Sequence, residues 1–243
     1  RNKIRKAESR GVEIIKGNHN DIKLFYTFVA KKHSRTLEYY QTFAKEFGDD
    51  FEIYFAKLNS EKYLQNIKKL YELEVTNNEK INLEIQEKST ENKITNKLMN
   101  TKITSDKLLD TYKKELIFAS DLFAKNPSGI IIGATAIILD KNGVELLIEG
   151  QNSDYALYYP NYLTKWYIIE KYAKKGAIYF DLNAITGYFA DDSKYKGLNE
   201  MKLGYGAEVT EYIGEFDLVI KENAYKLYCK SKLFRNLIKR KTK

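Results

Sequence analysis

Phe51-Glu52-Ile53-Tyr54-Phe55-Ala56-Lys57-Leu58 sets Phe51, Ile53 and Phe55 in strict alternation, the period of a half-buried β-strand. Directly after it the composition changes. From about Ser60 to Asp121 there is no Gly, Pro or Trp, and Lys, Glu, Asn, Thr, Leu and Ile dominate. Leu64, Ile67 and Tyr71 form one helical stripe, and Leu98, Ser105, Leu109, Tyr112 and Leu116 follow a heptad-like course. A polar middle, Thr76 to Asn96, lies between them. This pattern predicts two long antiparallel helices, an arm over 60–121 inserted into a domain made of 1–59 and 122–243. A disordered linker is the alternative, but it has no need of apolar stripes at both ends. After Asn126-Pro127-Ser128-Gly129 strand patterning returns: Gly129–Asp140 and Val144–Gly150 read as neighbours joined by a turn at Lys141-Asn142-Gly143.

Outward from this centre, Arg1–Ser9 reads as a helix capped by Gly11, and Val12–Ile15 as a short strand. Asp21–His33 and Thr36–Phe47 have amphipathic helical spacing. Downstream, Pro160 opens a helix to Lys175, a position where proline is tolerated. Ala177–Leu182 is a buried strand candidate, Tyr195–Leu203 a short helix, and Glu208–Ile220 a strand region broken around Gly214. Glu222 to about Lys239 forms a terminal helix. Alternating strands and helices make the class α/β or α+β, with an inserted helical hairpin.

Composition excludes more than it selects. The 243 residues include one cysteine, so no disulfide framework or multi-cysteine metal motif exists, and His19 and His33 are too few for a histidine-rich metal centre. No metal is expected. The longest mainly apolar run, Gly129–Leu139, falls well short of a membrane span, and the charged stretch Arg1–Arg10 is no signal segment. These features predict a cytoplasmic protein. The chain opens on arginine rather than methionine, which suggests a fragment.

The net charge of +8 is concentrated at the ends: +4 over 1–16 and +8 over 226–243, with a slightly acidic body between. The arm is neutral, its 11 lysines matched by 11 acids. Basic ends suit a polyanion such as nucleic acid, a diphosphate or an anionic membrane face, or serve only as a solubilising tail. In the last helix Leu233, Phe234, Leu237 and Ile238 lie toward one side, with Lys232, Arg235, Lys239 and Arg240 around its edges.

Enzyme motifs are scarce. There is no GxxxxGK[ST] loop and no GxGxxG after a strand, and Gly204-Tyr205-Gly206 is explained by a turn. Cys229 lies in a helix, where a small buried thiol is the default, and Asp191-Asp192 reads as solvated loop acids.

Three stretches carry a resemblance. Arg1-Asn2-Lys3-Ile4-Arg5-Lys6-Ala7-Glu8-Ser9-Arg10-Gly11-Val12 is similar to the opening of the second domain of the FemABX peptidyltransferases, and Arg35-Thr36-Leu37-Glu38-Tyr39-Tyr40 to the family's Arg-x-x-x-Tyr segment. The most distinctive is Gly197-Leu198-Asn199-Glu200-Met201-Lys202-Leu203-Gly204-Tyr205-Gly206-Ala207-Glu208, continuing through Glu211 to Asp217, which resembles the C-terminal signature. The inserted arm fits the Fem members that carry a coiled coil.

The resemblance implies a fold like the GNAT acyl-CoA N-acyltransferases, without acetyl-CoA or another cofactor, and a preceding domain of the same fold outside this chain. It implies aminoacyl transfer from aminoacyl-tRNA to a peptidoglycan precursor, lipid II or UDP-MurNAc-pentapeptide, with possible peripheral contact at the inner membrane face. By matching position, Lys202 takes the catalytic, oxyanion-stabilising role and Arg35 the precursor's phosphate. Tyr39 hydrogen-bonds in the same cleft, and Tyr155 is a further substrate contact. Met201, likewise implied as a substrate-binding residue, stands where the family often has an aromatic residue. Two other classes remain open: an acetyl-CoA-dependent N-acyltransferase, which needs a glycine-rich pyrophosphate loop that is not found, and a nucleic-acid-binding module with a coiled-coil arm.

Overall fold

A computed structural model describes residues 1–32, 35–90, 93, 95–214 and 216–241, with side chains to Ser231. It resolves into two compact units, Arg1–Ala207 and Glu208–Lys243.

The first unit is built on a five-stranded sheet in the order β1 (Val12–Lys16), β2 (Phe51–Leu58), β3 (Ile130–Leu139), β4 (Gly143–Gln151), β5 (Tyr179–Asp181). The first four strands are antiparallel and β5 joins β4 in parallel. The β3–β4 turn forms where Asp140 Oδ1 accepts from the backbone N–H groups of Asn142 (2.7 Å) and Gly143 (2.8 Å). β5 is shorter than the Ala177–Leu182 strand predicted and is partly exposed rather than buried. It pairs with residues 143–145, so among the described residues Leu146–Gln151 has a strand, β3, on one side alone.

Helices cover both faces. On one, α2 (Ile22–Val29) and α3 (Leu37–Phe47) pack Ile22, Phe25, Val29, Tyr40 and Ala44 against Ile53, Phe55, Ala134, Ala136 and Ile148. Thr36 caps α3 by accepting from Tyr39 N–H at 3.2 Å. α2 ends at Val29, short of the predicted His33, which lies outside the described residues. On the other face, α6 (Pro160–Ala173) and α1 (Asn2–Ser9) cover Tyr54, Ile137, Leu146 and Ile132. β2 is therefore buried on both faces rather than one. The reason is Glu52, which looks solvent-facing in sequence but accepts hydrogen bonds from Lys16, Tyr54 and Tyr172 under α6.

The arm consists of α4 (Ser60–Thr90) and α5 (Asn96–Lys125), packed along each other. Its first and last turns enter the main core. Tyr63, Ile67, Ala119 and Leu122 pack with Ala7, Val12, Leu58 and Leu163, and Arg10 makes a two-pronged ion pair with Glu115 (2.8 and 2.9 Å). Gly11, at φ +74°, must be glycine, since a Cβ would lie 2.9 Å from the Tyr63 nitrogen. Midway along the arm, buried Asn78 donates to Ser105 Oγ (3.0 Å) and Asp106 Oδ1 (2.8 Å). Of the predicted stripes, Ile67, Leu98 and Ser105 are buried and Leu64, Tyr71, Leu109, Tyr112 and Leu116 half-buried.

After β5 comes α7 (Lys196–Leu203). The second unit contains α8 (Glu222–Lys241), with Tyr225 donating to Asp217 Oδ2 at 2.6 Å. The strand expected over 208–220 does not form among the described residues. Its apolar residues have no neighbouring strand on which to pack, and Tyr212, Ile213, Leu218 and Ile220 stand in solvent, Ile213 at 91% exposure. The apolar and basic residues noted between Lys232 and Lys243 lie outside the described side chains.

Candidate active site

α7 places Lys202 against the segment that follows β5. Its side chain is 7% exposed, and Nζ donates to the carbonyl oxygens of Asn183 (3.0 Å) and Ala184 (2.6 Å). Asn183 adopts a left-handed φ of 66° there, and its amide donates to Leu146 O at 3.1 Å on the open side of β4. Desolvation lowers the Lys202 pKa, and the Lys165 ammonium lowers it further, with Glu149 and Asp181 opposing. No carboxylate touches this ammonium among the described residues. A desolvated cation held by neutral carbonyls keeps its charge available for an incoming anion or developing oxyanion.

Beside it lies a pair that sequence reasoning missed. Lys165, fully buried on α6, donates to Glu149 Oε2 of β4. Burial pulls its pKa down against the pull of Glu149, and Lys32 adds to the lowering. The available signal was periodicity: Lys165 precedes Ile168 and Tyr172 by three and seven residues, a core position on α6. Tyr205, also missed, donates to Tyr162 O at 2.8 Å and stacks on the Tyr162 ring. Burial, then the Glu149 charge, push its pKa well above the ordinary phenol value. Lys3 donates to Tyr162 OH at 2.9 Å and lies over that ring, tying α1 to the same corner.

The other candidates form separate groups. Arg35 and Tyr39 come together: the guanidinium carbon is 4.9 Å from the Tyr39 ring centroid, and Tyr39 meets Tyr40 edge-on at 5.2 Å. A guanidinium lying on a ring keeps its edge N–H groups free for an anion. Met201, half-buried, shares a turn of α7 with Lys202. Tyr155 has a different setting. Its ring meets Phe118 on the arm and Tyr158, which places it at the arm's base.

Known proteins are similar to this chain in sequence and in fold. The chain is 26% identical to the Lipid II:glycine glycyltransferase of Staphylococcus epidermidis (strain RP62A), a match covering 96% of this chain and 56% of that protein. Aminoacyltransferase FemA of the same strain is 25% identical, covering 92% and 54%. The crystal structure of FemX superposes with a TM-score of 0.63 at 18% identity, over 93% of this chain and 57% of that one, which shows a shared fold. The chain thus spans about half the length of the curated relatives it matches. The FemAB family model matches residues 1–232, and the chain belongs to the FemAB family.

Proposed function

We propose that this chain forms part of an enzyme that transfers an amino acid from aminoacyl-tRNA to the peptide of a peptidoglycan precursor, building an interpeptide bridge. Family membership and the activities for which the relatives are named support the reaction class. The observation that carries the reading is the Lys202 ammonium, buried, uncompensated by a touching carboxylate and braced by two carbonyls.

In this mechanism an amine of the acceptor peptide attacks the ester carbonyl of the aminoacyl-tRNA. The amide bond forms, the ester bond breaks, and the tRNA ribose leaves as its hydroxyl with the proton that the amine gives up. An ester aminolysed by an amine is already downhill, so the protein aligns reactants and steadies the tetrahedral oxyanion. Lys202 supplies that positive charge. Arg35, its guanidinium over the Tyr39 ring, offers N–H donors to a precursor phosphate, where a bidentate fork outperforms an ammonium. Met201, on the same turn of α7 as Lys202, flanks substrate by apolar contact, whereas Tyr155, at the arm's base, is left out of this site. No helix among the described residues is long and apolar enough to cross a membrane.

The test supplies the complete polypeptide with a charged tRNA or with acetyl-CoA, each with a precursor peptide. Amino acid should appear on the peptide only with charged tRNA. Acylation by acetyl-CoA without aminoacyl transfer would overturn the reading.

A further inference from the structure

The brace around Lys202 depends on one side chain. Asn183, two residues past β5, holds a left-handed φ of 66°. That region brings most L-residues into a steric clash, and asparagine tolerates it because its short amide bonds the local backbone. Every polar group of Asn183 is engaged. Its N–H donates to Asp181 Oδ1 (2.6 Å), its Oδ1 accepts from Ala184 N–H (2.6 Å), and its Nδ2 donates to Leu146 O (3.1 Å). The carbonyls of Asn183 and Ala184 are the two that accept from Lys202 Nζ. Leu146 is itself buried with Ile168 and Tyr172 of α6, so the chain of contacts runs from the core of the sheet through one amide to the ammonium.

The helix that carries Lys202 leans on the same segment. The buried residues of α7 are Asn199 and Lys202, both polar, and their spacing of three puts them on one face. Asn199 Nδ2 donates to Thr186 Oγ1 (3.0 Å) and to Tyr188 O (3.2 Å), so both residues dock α7 on residues 183–188. Buried donors must keep their acceptors, and α7 therefore follows wherever that segment is held. We infer that Asn183 is the positioning residue for Lys202: its left-handed turn aims two carbonyls at the ammonium, and its amide fixes them to β4. The inference rests on the transfer reading above, in which Lys202 supplies the charge that faces the oxyanion. Misplacing such a group by about 1 Å can cost about 100-fold in rate, so Asn183 governs turnover through Lys202 alone.

The test uses the complete polypeptide and two readouts. In the first, lysines are labelled with an amine reagent and mapped by mass spectrometry. Asn183→Ala should raise the labelling rate of Lys202 by about tenfold or more, with that of the buried Lys165 unchanged. Asn183→Gly, which reaches the left-handed region freely but lacks the amide, should fall between wild type and Asn183→Ala. In the second, transfer from charged tRNA is followed. Asn183→Ala should lower kcat about 10- to 100-fold with the precursor KM little changed, and should add almost nothing once Lys202→Ala is present. Should Asn183→Ala fail to fold, Asn183→Gly and Asn183→Asp, which loses only the donor to Leu146, are read in its place. Wild-type labelling of Lys202 in the folded variant overturns the inference. So does a loss of kcat that is equal with and without Lys202. If the wild type transfers no amino acid, the transfer reading fails by itself, and the labelling alone decides whether Asn183 places Lys202.

Discussion

Lys202 and Glu52 are both buried charged groups, and their surroundings assign them different work. Around Lys202 the partners are two neutral carbonyls. Removing that ammonium by Lys202→Ala should cut turnover roughly 100- to 1,000-fold, with precursor binding little changed. Normal turnover in the variant would end the electrostatic assignment. Glu52, in contrast, is saturated by Lys16, Tyr172 and Tyr54, with Lys171 3.7 Å away. Burial alone would raise its pKa, but those hydrogen bonds and the Lys171 charge outweigh it and hold the carboxyl below its ordinary 4.5. A depressed folded-state pKa contributes stability above the unfolded value, and that stability is lost as pH falls through the folded one. Urea unfolding should therefore show stability declining below about pH 4.5, and Glu52→Gln should lower stability at pH 7 and flatten the acid decline. An unchanged acid limb in Glu52→Gln would mean other carboxylates dominate. Lys202 was legible in the sequence only through the signature around it. Glu149 and Lys165 were not, because an acid in a strand and a lysine in a helix become one pair only when α6 lies down on β4.

At the scale of elements, the arm is two things at once. Its basal turns bury Tyr63, Ile67, Ala119 and Leu122 in the main core, whereas its distal length buries residues such as Asn78, Ile81, Leu98 and Ser105 largely between its own helices. Replacing residues 73–110 by a short turn should leave a cooperatively folding protein whose Tm moves by only about 5 °C. Deleting 60–121 entirely should cost far more, because Leu58, Val12 and Ala7 lose their cover. Thermal melts followed by circular dichroism compare the two, and equal loss would show that the distal arm also supports the core. The arm's helices were legible because 3.6-residue periodicity needs no knowledge of the rest of the fold. The segment 208–220 misled for the opposite reason: its alternating apolar residues describe a strand only when a neighbouring edge exists to receive them. Glu52 misled in the same way on β2, since an acid at an alternating position signals solvent until three donors enclose it.

Across the whole molecule, charge and sheet topology are each uneven. The basic end should act at long range if aminoacyl-tRNA is the donor. Replacing Lys239, Arg240, Lys241 and Lys243 by glutamine should weaken tRNA binding most at low salt and reduce its salt slope, by up to about 0.9 for each phosphate left unneutralised. Unchanged tRNA binding with lost sedimentation on anionic vesicles would instead assign the tail to lipid. The sheet's unevenness has a consequence of its own. Because β5 accompanies β4 for only three residues, the stretch Leu146–Gln151 is hydrogen-bonded to a strand on one flank only. Beyond the bulge at Leu147, amide protons from Ile148 to Gln151 should then divide by parity: those turned toward β3 exchanging with deuterated solvent slowly, and those turned the other way exchanging orders of magnitude faster, a two-residue rhythm of protection in the middle of an otherwise slowly exchanging core.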